Sequence, residues 1–292
     1  MLTVIVPITN MAGKLQNLTK WIPIAVNNKI GIIIVHDISD SSTQSELESL
    51  LSGFNSESIT LTSGYYGSPG AARNQGLSLA NSKYISFWDA DDLPNPIQVY
   101  DSILNSKIDF DILIGQYVIR NHSVSDQIIL PPKDTNIKSV AFSPGLWRMV
   151  FRREFVNKLS FKQLQIGEDQ IFFAECLCLS PKFIFSTSVF YEYFRGVEGQ
   201  LTRKYSARPD LIEVFEIIRV LRSFVTGPAK QLLSIMLLRI QITILKSIFV
   251  GAINFSSLSI FFLSKSFRPT SPFTKLKALS YVIFRLLRKF RV

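Results

Sequence analysis

Short apolar segments alternate with helical patterns along the first 95 residues, and this alternation constrains the fold more than any other feature of the sequence. The segments have the length and the Val, Ile and aromatic content of buried strands, and the stretches between them have helical spacing. Strands are predicted at 2–8, 30–35, 58–62 and 83–88, and helices at about 12–26, 42–52 and 70–81. Strands joined through helices at this spacing form βαβ units, so the sequence predicts an α/β fold with a mostly parallel sheet.

Polar side chains follow three of these predicted strands at the points where the strands end. Thr9 and Asn10 follow the first strand, a polar segment at 37–41 follows the second, and Asp89 to Asp92 follow the fourth. The carboxyl ends of parallel strands gather at one edge of a sheet, and open α/β sheets bind their ligands at that edge. The sequence therefore predicts a nucleotide site there.

Asp89, Asp91 and Asp92 crowd together directly after the aromatic strand at 83–88. Carboxylates this close repel one another unless a cation or a hydrogen-bond donor neutralises them. A divalent cation that holds nucleotide phosphates would explain the group. A solvated acidic turn, with an Asp capping the helix that begins near Pro96, would explain it equally well. From these residues alone, both interpretations stay open.

The pattern becomes mixed between about 97 and 200. It predicts a helix at 96–105, a strand at 111–119, an extended piece at 126–130, a helix at 166–179 and an alternating strand at 190–194. Glu168 and Asp169 fall in the first turn of the helix at 166–179, where acidic side chains commonly satisfy a helix N-terminus. A helix start is also a rigid mount for a catalytic carboxylate, so the two interpretations are compatible.

Charge is distributed unevenly along the chain. All 22 acidic residues lie at or before Glu216, whereas 13 of the 32 Lys and Arg residues follow it. A uniformly basic nucleic-acid-binding protein would not separate its charges in this way while also becoming more apolar, so no nucleic-acid partner is expected. An apolar, basic region without acidic residues is typical of contact with an anionic membrane surface.

The C-terminal region contains two segments that suggest how such contact could occur. Residues 275–292 place apolar side chains on one helical arc and basic ones on the other, the pattern of a helix lying in the plane of a membrane. A terminal helix packed on the domain, with a solvated basic face, is the alternative. The uncharged stretch 247–263 is at the short limit for a span, so a re-entrant or surface-lying helix is favoured.

The first residues carry neither a basic segment nor a small-residue cleavage site of the kind found in secretory signals. We therefore expect the protein in the cytoplasm, peripherally associated with the inner face of the plasma membrane through its C-terminal basic helices.

Six motifs across about 2–205 make the chain resemble the family-2, inverting glycosyltransferases with the GT-A fold, and they occur in that family's order. They are Val4-Ile-Val-Pro-Ile-Thr-Asn10, Val35-His-Asp-Ile-Ser-Asp40, Gly70-Ala-Ala-Arg-Asn-Gln-Gly76, Phe87-Trp-Asp-Ala-Asp-Asp92, Gly167-Glu-Asp-Gln-Ile-Phe172, and Tyr191-Glu-Tyr-Phe-Arg195 with Gln200-Leu-Thr202. The resemblance implies a Rossmann-like GT-A domain at 1–208, with nucleotide-sugar binding in 1–95 and the acceptor and catalytic base in 96–208. A helical, basic, membrane-associating appendage at 209–292 would follow.

The resemblance also implies an activity and a set of partners. The chain would be a metal-dependent glycosyltransferase of the hexosyltransferase type, of the kind used in bacterial polysaccharide or surface-glycan synthesis. Its donor would be a nucleoside-diphosphate sugar, with a UDP-sugar favoured, and its acceptor a hydroxyl of a glycan or lipid-linked glycan. Mn²⁺ or Mg²⁺ would be the metal, which agrees with a site built only from oxygen ligands.

Five residues receive roles through the resemblance. Asp37 would bind the nucleobase, although its carboxylate could instead cap the helix that follows. Arg73 starts a helix after a glycine-rich loop and could contact the donor phosphates or pair with nearby carboxylates. Asp91 would be the principal metal ligand, with Asp89 reaching the ribose or the metal. Asp169 would be the catalytic base of inversion by single displacement.

Three residues depart from the family pattern on its nucleobase side. Thr9 replaces the usual aromatic, His36 the first of two aspartates, and Ile38 a glycine. The missing aromatic removes a stacking surface that the family uses for the base. These departures motivate an alternative function, a non-catalytic relative that binds sugar nucleotides or glycans but has lost transferase activity.

Overall fold

The computed structural model describes residues 1–38, 41–54, 57–121, 127–130, 136–195 and 210–249. Nine strands and nine helices are found in these ranges, together with a 3-10 turn at Leu146–Arg148. The strands are β1 (Leu2–Ile8), β2 (Gly31–Asp37), β3 (Ile59–Gly64), β4 (Tyr84–Phe87), β5 (Leu93–Pro94), β6 (Ile112–Asn121), β7 (Gln127–Ile129), β8 (Met149–Arg152) and β9 (Phe183–Arg195). The helices are α1 (Gln16–Asn27), α2 (Ser41–Ser52), α3 (Pro69–Leu79), α4 (Pro96–Leu104), α5 (Ile137–Phe142), α6 (Arg153–Val156), α7 (Glu168–Cys178), α8 (Asp210–Phe224) and α9 (Gly227–Phe249).

The strands form one sheet in the order β3-β2-β1-β4-β8-β6-β9-β5, with β7 paired to β6. Strands β1 to β4 are parallel to one another, as are β6 and β9, whereas β5, β7 and β8 pair antiparallel. This arrangement confirms the α/β prediction and its mostly parallel sheet.

Apolar side chains alternate between the two faces of the sheet, as the period of a strand requires. In β1, Val4 and Val6 pack with Trp21 of α1 on one face, whereas Ile5 packs with Ala72 of α3 and Phe172 of α7 on the other. Helices therefore cover both faces, which explains why the strands consist of nearly uninterrupted apolar residues.

Helix α3 lies unusually close to the sheet because Gly76 faces β1. A Cβ atom added at Gly76 would stand 2.3 Å from Cγ2 of Ile5, a distance that side chains do not tolerate. Because α3 follows the carboxyl end of β3, its first turn lies at the edge of the sheet that holds the candidate site.

The structure differs from the sequence-based expectation in several places: β9 begins at Phe183 rather than near residue 190, and β5, α5 and α6 fall where no element was predicted. Helix α1 begins at Gln16 rather than near residue 12, because Asn10 and Gly13 adopt left-handed backbone with φ of 54° and 72° and form a loop first. Strand β8, which the sequence did not indicate, runs antiparallel between β4 and β6. Its four residues are too few to show a period, and arginines flank them.

The C-terminal helices α8 and α9 pack on the same core as the sheet. Leu211, Val214 and Phe215 of α8 are buried in the cluster that contains Phe87 and Phe172, as are Leu233, Met236 and Ile240 of α9. No helix in the ranges given above is long and apolar enough to cross a bilayer. Residues 250–263 and the amphipathic segment 275–292 lie outside those ranges, so membrane contact through them stays a prediction.

Candidate functional site

The carboxyl ends of β2 and β4 lie on either side of the carboxyl end of β1. This placement determines where the predicted site residues lie. Ile8 of β1 pairs with His36 of β2, and Ile5 pairs with Phe87 of β4, so the strands end side by side. Asp37 closes β2, and Asp89 follows β4 by two residues. The parallel register therefore brings the two acidic segments to one edge, as the sequence predicted.

Asp37 is buried and holds the loop that follows β3. Its Oδ2 atom accepts a hydrogen bond from the backbone N–H of Gly67, at 2.7 Å. Gly67 has a φ of 67°, a left-handed conformation that favours glycine. A bond to Asp37 thus fixes the glycine-rich loop before α3, and base recognition by this carboxylate stays a prediction.

His36, one of the three departures from the family pattern, lies inside the sheet. Its side chain is completely buried, and neither ring nitrogen has a hydrogen-bond partner within the described part of the chain. A fully buried imidazole does not reach the edge where a nucleotide would bind. The substitution at position 36 therefore changes the core beneath the site rather than its lining.

Arg73, in the first turns of α3, connects the acidic segment after β4 with the start of α7. Its Nη2 atom donates to Oδ1 of Asp89 at 2.9 Å, and its Nη1 atom donates to Oε1 of Glu168 at 2.5 Å. The side chain is only about one-tenth exposed, and its guanidinium lies 5.6 Å from the centre of the Phe161 ring. The alternative in which this arginine pairs with local carboxylates is the one observed, and phosphate contact by Arg73 stays a prediction.

The charges around Arg73 keep it protonated. Burial lowers the pKa of its guanidinium, but the carboxylates of Asp89, Glu168 and Asp169 together outweigh burial and raise the pKa above its ordinary value. A permanent cation therefore lies between the acidic segment after β4 and the start of α7, and it reduces the repulsion among their carboxylates.

Asn74, the next residue of α3, forms a reciprocal pair of hydrogen bonds with the chain segment that precedes α7. Its Nδ2 atom donates to the carbonyl oxygen of Phe161 at 2.9 Å, and its Oδ1 atom accepts from the N–H of Phe161 at 2.7 Å. The Arg-Asn sequence at 73–74 thus contacts Phe161 and Glu168, which lie 87 and 95 residues further along the chain. The family motif contained this asparagine, but nothing in the sequence predicted its partner.

The three carboxylates after β4 point in different directions. Asp92 is fully buried and accepts a hydrogen bond at Oδ1 from the N–H of Phe194, at 2.7 Å. The side chain of Asp89 pairs with Arg73 and is still one-third exposed, and Asp91 is half-buried. Burial, followed by repulsion from Asp91 and Asp89, raises the pKa of Asp92 well above its usual range. Asp92 therefore supports the loop from within.

Two polar side chains hold the backbone of this acidic segment. The hydroxyl of Tyr191, on β9, accepts from the N–H of Asp89 at 2.9 Å. The Nδ2 atom of Asn17, on α1, donates to the carbonyl oxygen of Asp91, also 2.9 Å away. The resemblance covered the strand that contains Tyr191 but did not give this contact, and no sequence signal pointed to Asn17.

A metal at this position would need ligands from the donor. Within the described ranges, no group of three or more His, Cys, Asp or Glu side chains could hold an ion. Mg²⁺ in nucleotide sites is commonly bound by one or two carboxylates together with substrate phosphates. Asp89 and Asp91, at a solvent-accessible edge, fit such a shared site, whereas the inward-facing Asp92 does not.

Glu168 and Asp169 open α7 directly across from the acidic segment. The helix follows Gly167, which has a φ of 85°. Burial raises the pKa of Glu168 to about 7, although Arg73 opposes this effect. Burial also raises the pKa of Asp169, and Arg73 and then Arg239 of α9 lower it. Asp169 is less buried than Glu168 and accepts at Oδ1 from the N–H of Gln170, at 2.8 Å.

Replacing Arg73 by methionine should destabilise the protein by about 3–5 kcal/mol, because Glu168 and Asp89 would lose their shared cation and Glu168 would stay buried without it. Denaturant unfolding would measure the loss. A matched control is Arg219→Met, since Arg219 forms a partly exposed pair with Glu216 on α8 and should contribute no more than about 1 kcal/mol. Adding Glu168→Gln to Arg73→Met should restore part of the stability. A loss below about 1 kcal/mol for Arg73→Met would contradict the central role of this ion pair.

Comparison with known proteins gives matches to glycosyltransferases. Residues 3–142 match the family model described as Glycosyl transferase family 2. Glycosyltransferase GlyA of Streptococcus pneumoniae is 26% identical over 235 residues, which cover 71% of this chain and 32% of that protein. The chain thus spans about a third of the length of this curated relative.

Solved structures share the fold at low identity. TarS of S. aureus (residues 1–349) in complex with UDP aligns with a TM-score of 0.68 and 18% identity, over 89% of this chain and 77% of that one. The same protein in complex with UDP-GlcNAc aligns with a TM-score of 0.66 and 18% identity, over 82% of this chain and 72% of that one. The mannosyltransferase PcManGT from Pyrobaculum calidifontis, in complex with GDP-Man and Mn²⁺, aligns with a TM-score of 0.62 and 16% identity, over 96% of this chain and 80% of that one. These likenesses confirm the GT-A type of fold.

Proposed function

We propose that the chain, whose residues 3–142 match the model of glycosyltransferase family 2, transfers a sugar, with inversion, from a nucleoside-diphosphate donor to a hydroxyl of a glycan or lipid-linked glycan. One observation carries this proposal. Arg73 bonds both Asp89, in the segment expected to hold the donor diphosphate, and Glu168, the neighbour of the expected base. This network supports the proposal, because it connects the segment expected to hold the donor with the turn expected to carry the base.

The donor would bind at the carboxyl edge of the sheet, with its diphosphate near Asp89 and Asp91. The relatives with the same fold support a nucleotide sugar as the donor class, since TarS is seen with UDP-GlcNAc and PcManGT with GDP-Man. A uridine nucleotide is the favoured donor, following the family pattern. A Mn²⁺ or Mg²⁺ ion shared by these aspartates and the diphosphate would neutralise charge on the leaving group.

Asp169 would act on the acceptor. Its carboxylate would take the proton of the acceptor hydroxyl as that oxygen forms a bond to the anomeric carbon, and the bond from this carbon to the donor phosphate oxygen would break. The nucleoside diphosphate would leave on the opposite face, which inverts the configuration. Arg73 and Arg239 would favour the ionised form of Asp169 that such a base requires, because both cations lower the pKa that burial raises.

The proposal also includes an acceptor and a cellular location. Helices α8 and α9 contain several basic residues and, after Glu216, no acidic one. Such a composition supports work at an anionic membrane surface, where each nearby Lys or Arg contributes about 1 kcal/mol. A lipid-linked glycan on the cytoplasmic face would be presented to the site from that surface.

A thermal-shift titration followed by a product assay tests the proposal. The full chain would be mixed with UDP-GlcNAc, UDP-glucose or GDP-mannose, each with and without Mn²⁺, and with AMP as the control nucleotide. A donor at 100 times its Kd adds about 2.7 kcal/mol of stability, which should raise Tm by about 5 °C or more. The donor that raises Tm should then release its nucleoside diphosphate when acceptor glycan is added.

The two stages separate the proposal from its alternative. Donor binding without release of nucleoside diphosphate, across acceptor glycans extracted from membranes, would favour the non-catalytic relative that binds sugar nucleotides. The absence of a Tm increase with every sugar nucleotide would reject the transferase and sugar-nucleotide binding, and would leave glycan binding as the remaining form of the alternative.

A further inference from the structure

The turn that opens α7 rests on the C-terminal helices. Oδ2 of Asp210, the first residue of α8, accepts from the N–H of Gln165 at 2.8 Å. A Cβ atom added at Gly167 would lie 2.7 Å from Cγ2 of Val214, so glycine lets α8 approach the turn directly. Helix α8 therefore supports the segment that carries Glu168 and Asp169, although it lies beyond the residues matched by the family model.

Helix α9 reaches the same turn with a charged side chain. Nη1 of Arg239 donates to Oε1 of Gln170 at 3.2 Å. The backbone N–H of Gln170 in turn donates to Oδ1 of Asp169 at 2.8 Å. One residue thus links a guanidinium of α9 to the carboxylate expected to act as base.

Asp169 consequently lies between two cations from different elements. The charges that face it are Arg73 of α3 and Arg239 of α9, opposed by Asp89 after β4 and by the neighbouring Glu168. Arg73 already forms ion pairs with Asp89 and Glu168. Arg239 bonds the uncharged amide of Gln170, and its charge lowers the pKa of Asp169 as the second cation after Arg73.

Burial makes this placement costly for Arg239 itself. The low-dielectric surroundings lower the pKa of its guanidinium, and Asp169 and Tyr117 oppose that effect. An arginine at such a position costs stability unless the charge it faces compensates. The compensating partner is Asp169, which points to a functional reason for the arginine.

We propose that Arg239 is a positioning residue that orients Asp169 through Gln170 and supplies the positive charge needed to keep this base ionised in the closed site. The inference rests on the proposed transferase function. It assigns α9 to the reaction centre, in addition to its packing on the core. The C-terminal helices would then form the wall of the acceptor side, opposite the edge that binds the donor.

The test compares Arg239→Gln and Arg239→Lys with wild type, and uses Arg219→Gln as the matched loss of one partly exposed arginine. We expect Arg239→Gln to lower kcat by about 10–100-fold, since small misplacements of a reacting group have effects of this size. The KM for the sugar nucleotide should stay within about two-fold, because donor contacts lie across the site. Arg239→Lys should recover a large part of kcat, and Arg219→Gln should match wild type.

The pH profile separates this role from a purely structural one. A base acts when it is deprotonated, and removing a nearby cation raises its pKa. The acid limb of kcat should therefore move to higher pH in Arg239→Gln and return toward wild type in Arg239→Lys. The lysine variant keeps the charge, so it still tests the inference if the glutamine variant folds poorly. Circular dichroism and the Tm increase with donor would confirm that each variant is folded.

Two results would overturn the inference while wild type remains active. One is a kcat and an acid limb that coincide with wild type in both Arg239 variants. The other is a change confined to the acceptor KM, which would make Arg239 a binding residue. A wild-type protein that releases no nucleoside diphosphate would instead refute the proposed function on which the inference depends.

Discussion

Asp169→Asn should lower kcat by about 10²–10⁴-fold, the range that a general base contributes. Asparagine keeps the size of the side chain, and its Oδ1 can still accept from the N–H of Gln170 as the carboxylate does at 2.8 Å. The substitution therefore removes the proton acceptor with little change in local geometry. Release of nucleoside diphosphate in the presence of acceptor would measure the loss.

Donor binding should persist in this variant, because Asp37, Asp89 and Asp91 are untouched. The Tm increase caused by the sugar nucleotide and Mn²⁺ should stay close to that of wild type. Glu175→Gln is the matched control, since Glu175 lies on the same helix in a loose pair with Lys162 (3.9 Å). That variant should retain activity within about two-fold. Full activity in Asp169→Asn would refute the assignment of the base.

The pH dependence should follow the same carboxylate. Burial raises the pKa of Asp169, so the group takes up a proton at a higher pH than an exposed aspartate does. Activity should fall as pH decreases through that raised pKa. Because Glu168 has a pKa of about 7 and shares Arg73 with Asp169, the acid limb belongs to the pair of carboxylates. The residual activity of Asp169→Asn should show a weaker acid limb than wild type.

The elements with a clear period were predictable from the sequence. β1 to β4 and α1 to α4 lie close to their predicted positions, since each buries an apolar face that repeats every two or about 3.6 residues. β8 was not predicted, because four residues set no period and its place between β4 and β6 depends on pairing across the chain. The packing of α8 and α9 was also missed. Their apolar faces indicated burial but could not show whether protein or membrane would cover them.

The location of the candidate site could be predicted, but the direction of its side chains could not. Parallel strands place Asp37 and Asp89 at one edge whatever their neighbours are. Which of the three carboxylates after β4 turns inward depends on the N–H of Phe194, 102 residues away from Asp92. Likewise, the partner of Arg73 in α7 lies 95 residues along the chain. Contacts over such separations leave no periodic signal in one sequence.

Asp91→Ala should remove the effect of metal on donor binding. Without this carboxylate, Mn²⁺ should no longer increase the Tm shift caused by the sugar nucleotide, and kcat should fall by at least about 10²-fold, since charge stabilisation by a metal is worth several kcal/mol. Thermal shift and product release on the same preparation would measure both effects. Asp101→Ala, at an exposed position of α4, is the matched control and should behave as wild type.

Stability should respond to Asp91→Ala in the opposite direction from activity. Repulsion from Asp91 helps to raise the pKa of the buried Asp92, so removing the Asp91 charge lowers that pKa and eases the burial of Asp92 in its ionised form. The hydrogen bond from Asn17 to the backbone carbonyl oxygen of residue 91 does not depend on the side chain that is removed. The variant should therefore unfold at a Tm equal to or above that of wild type. A lower Tm together with an intact Mn²⁺ effect would show that Asp91 supports the loop and that the metal binds elsewhere.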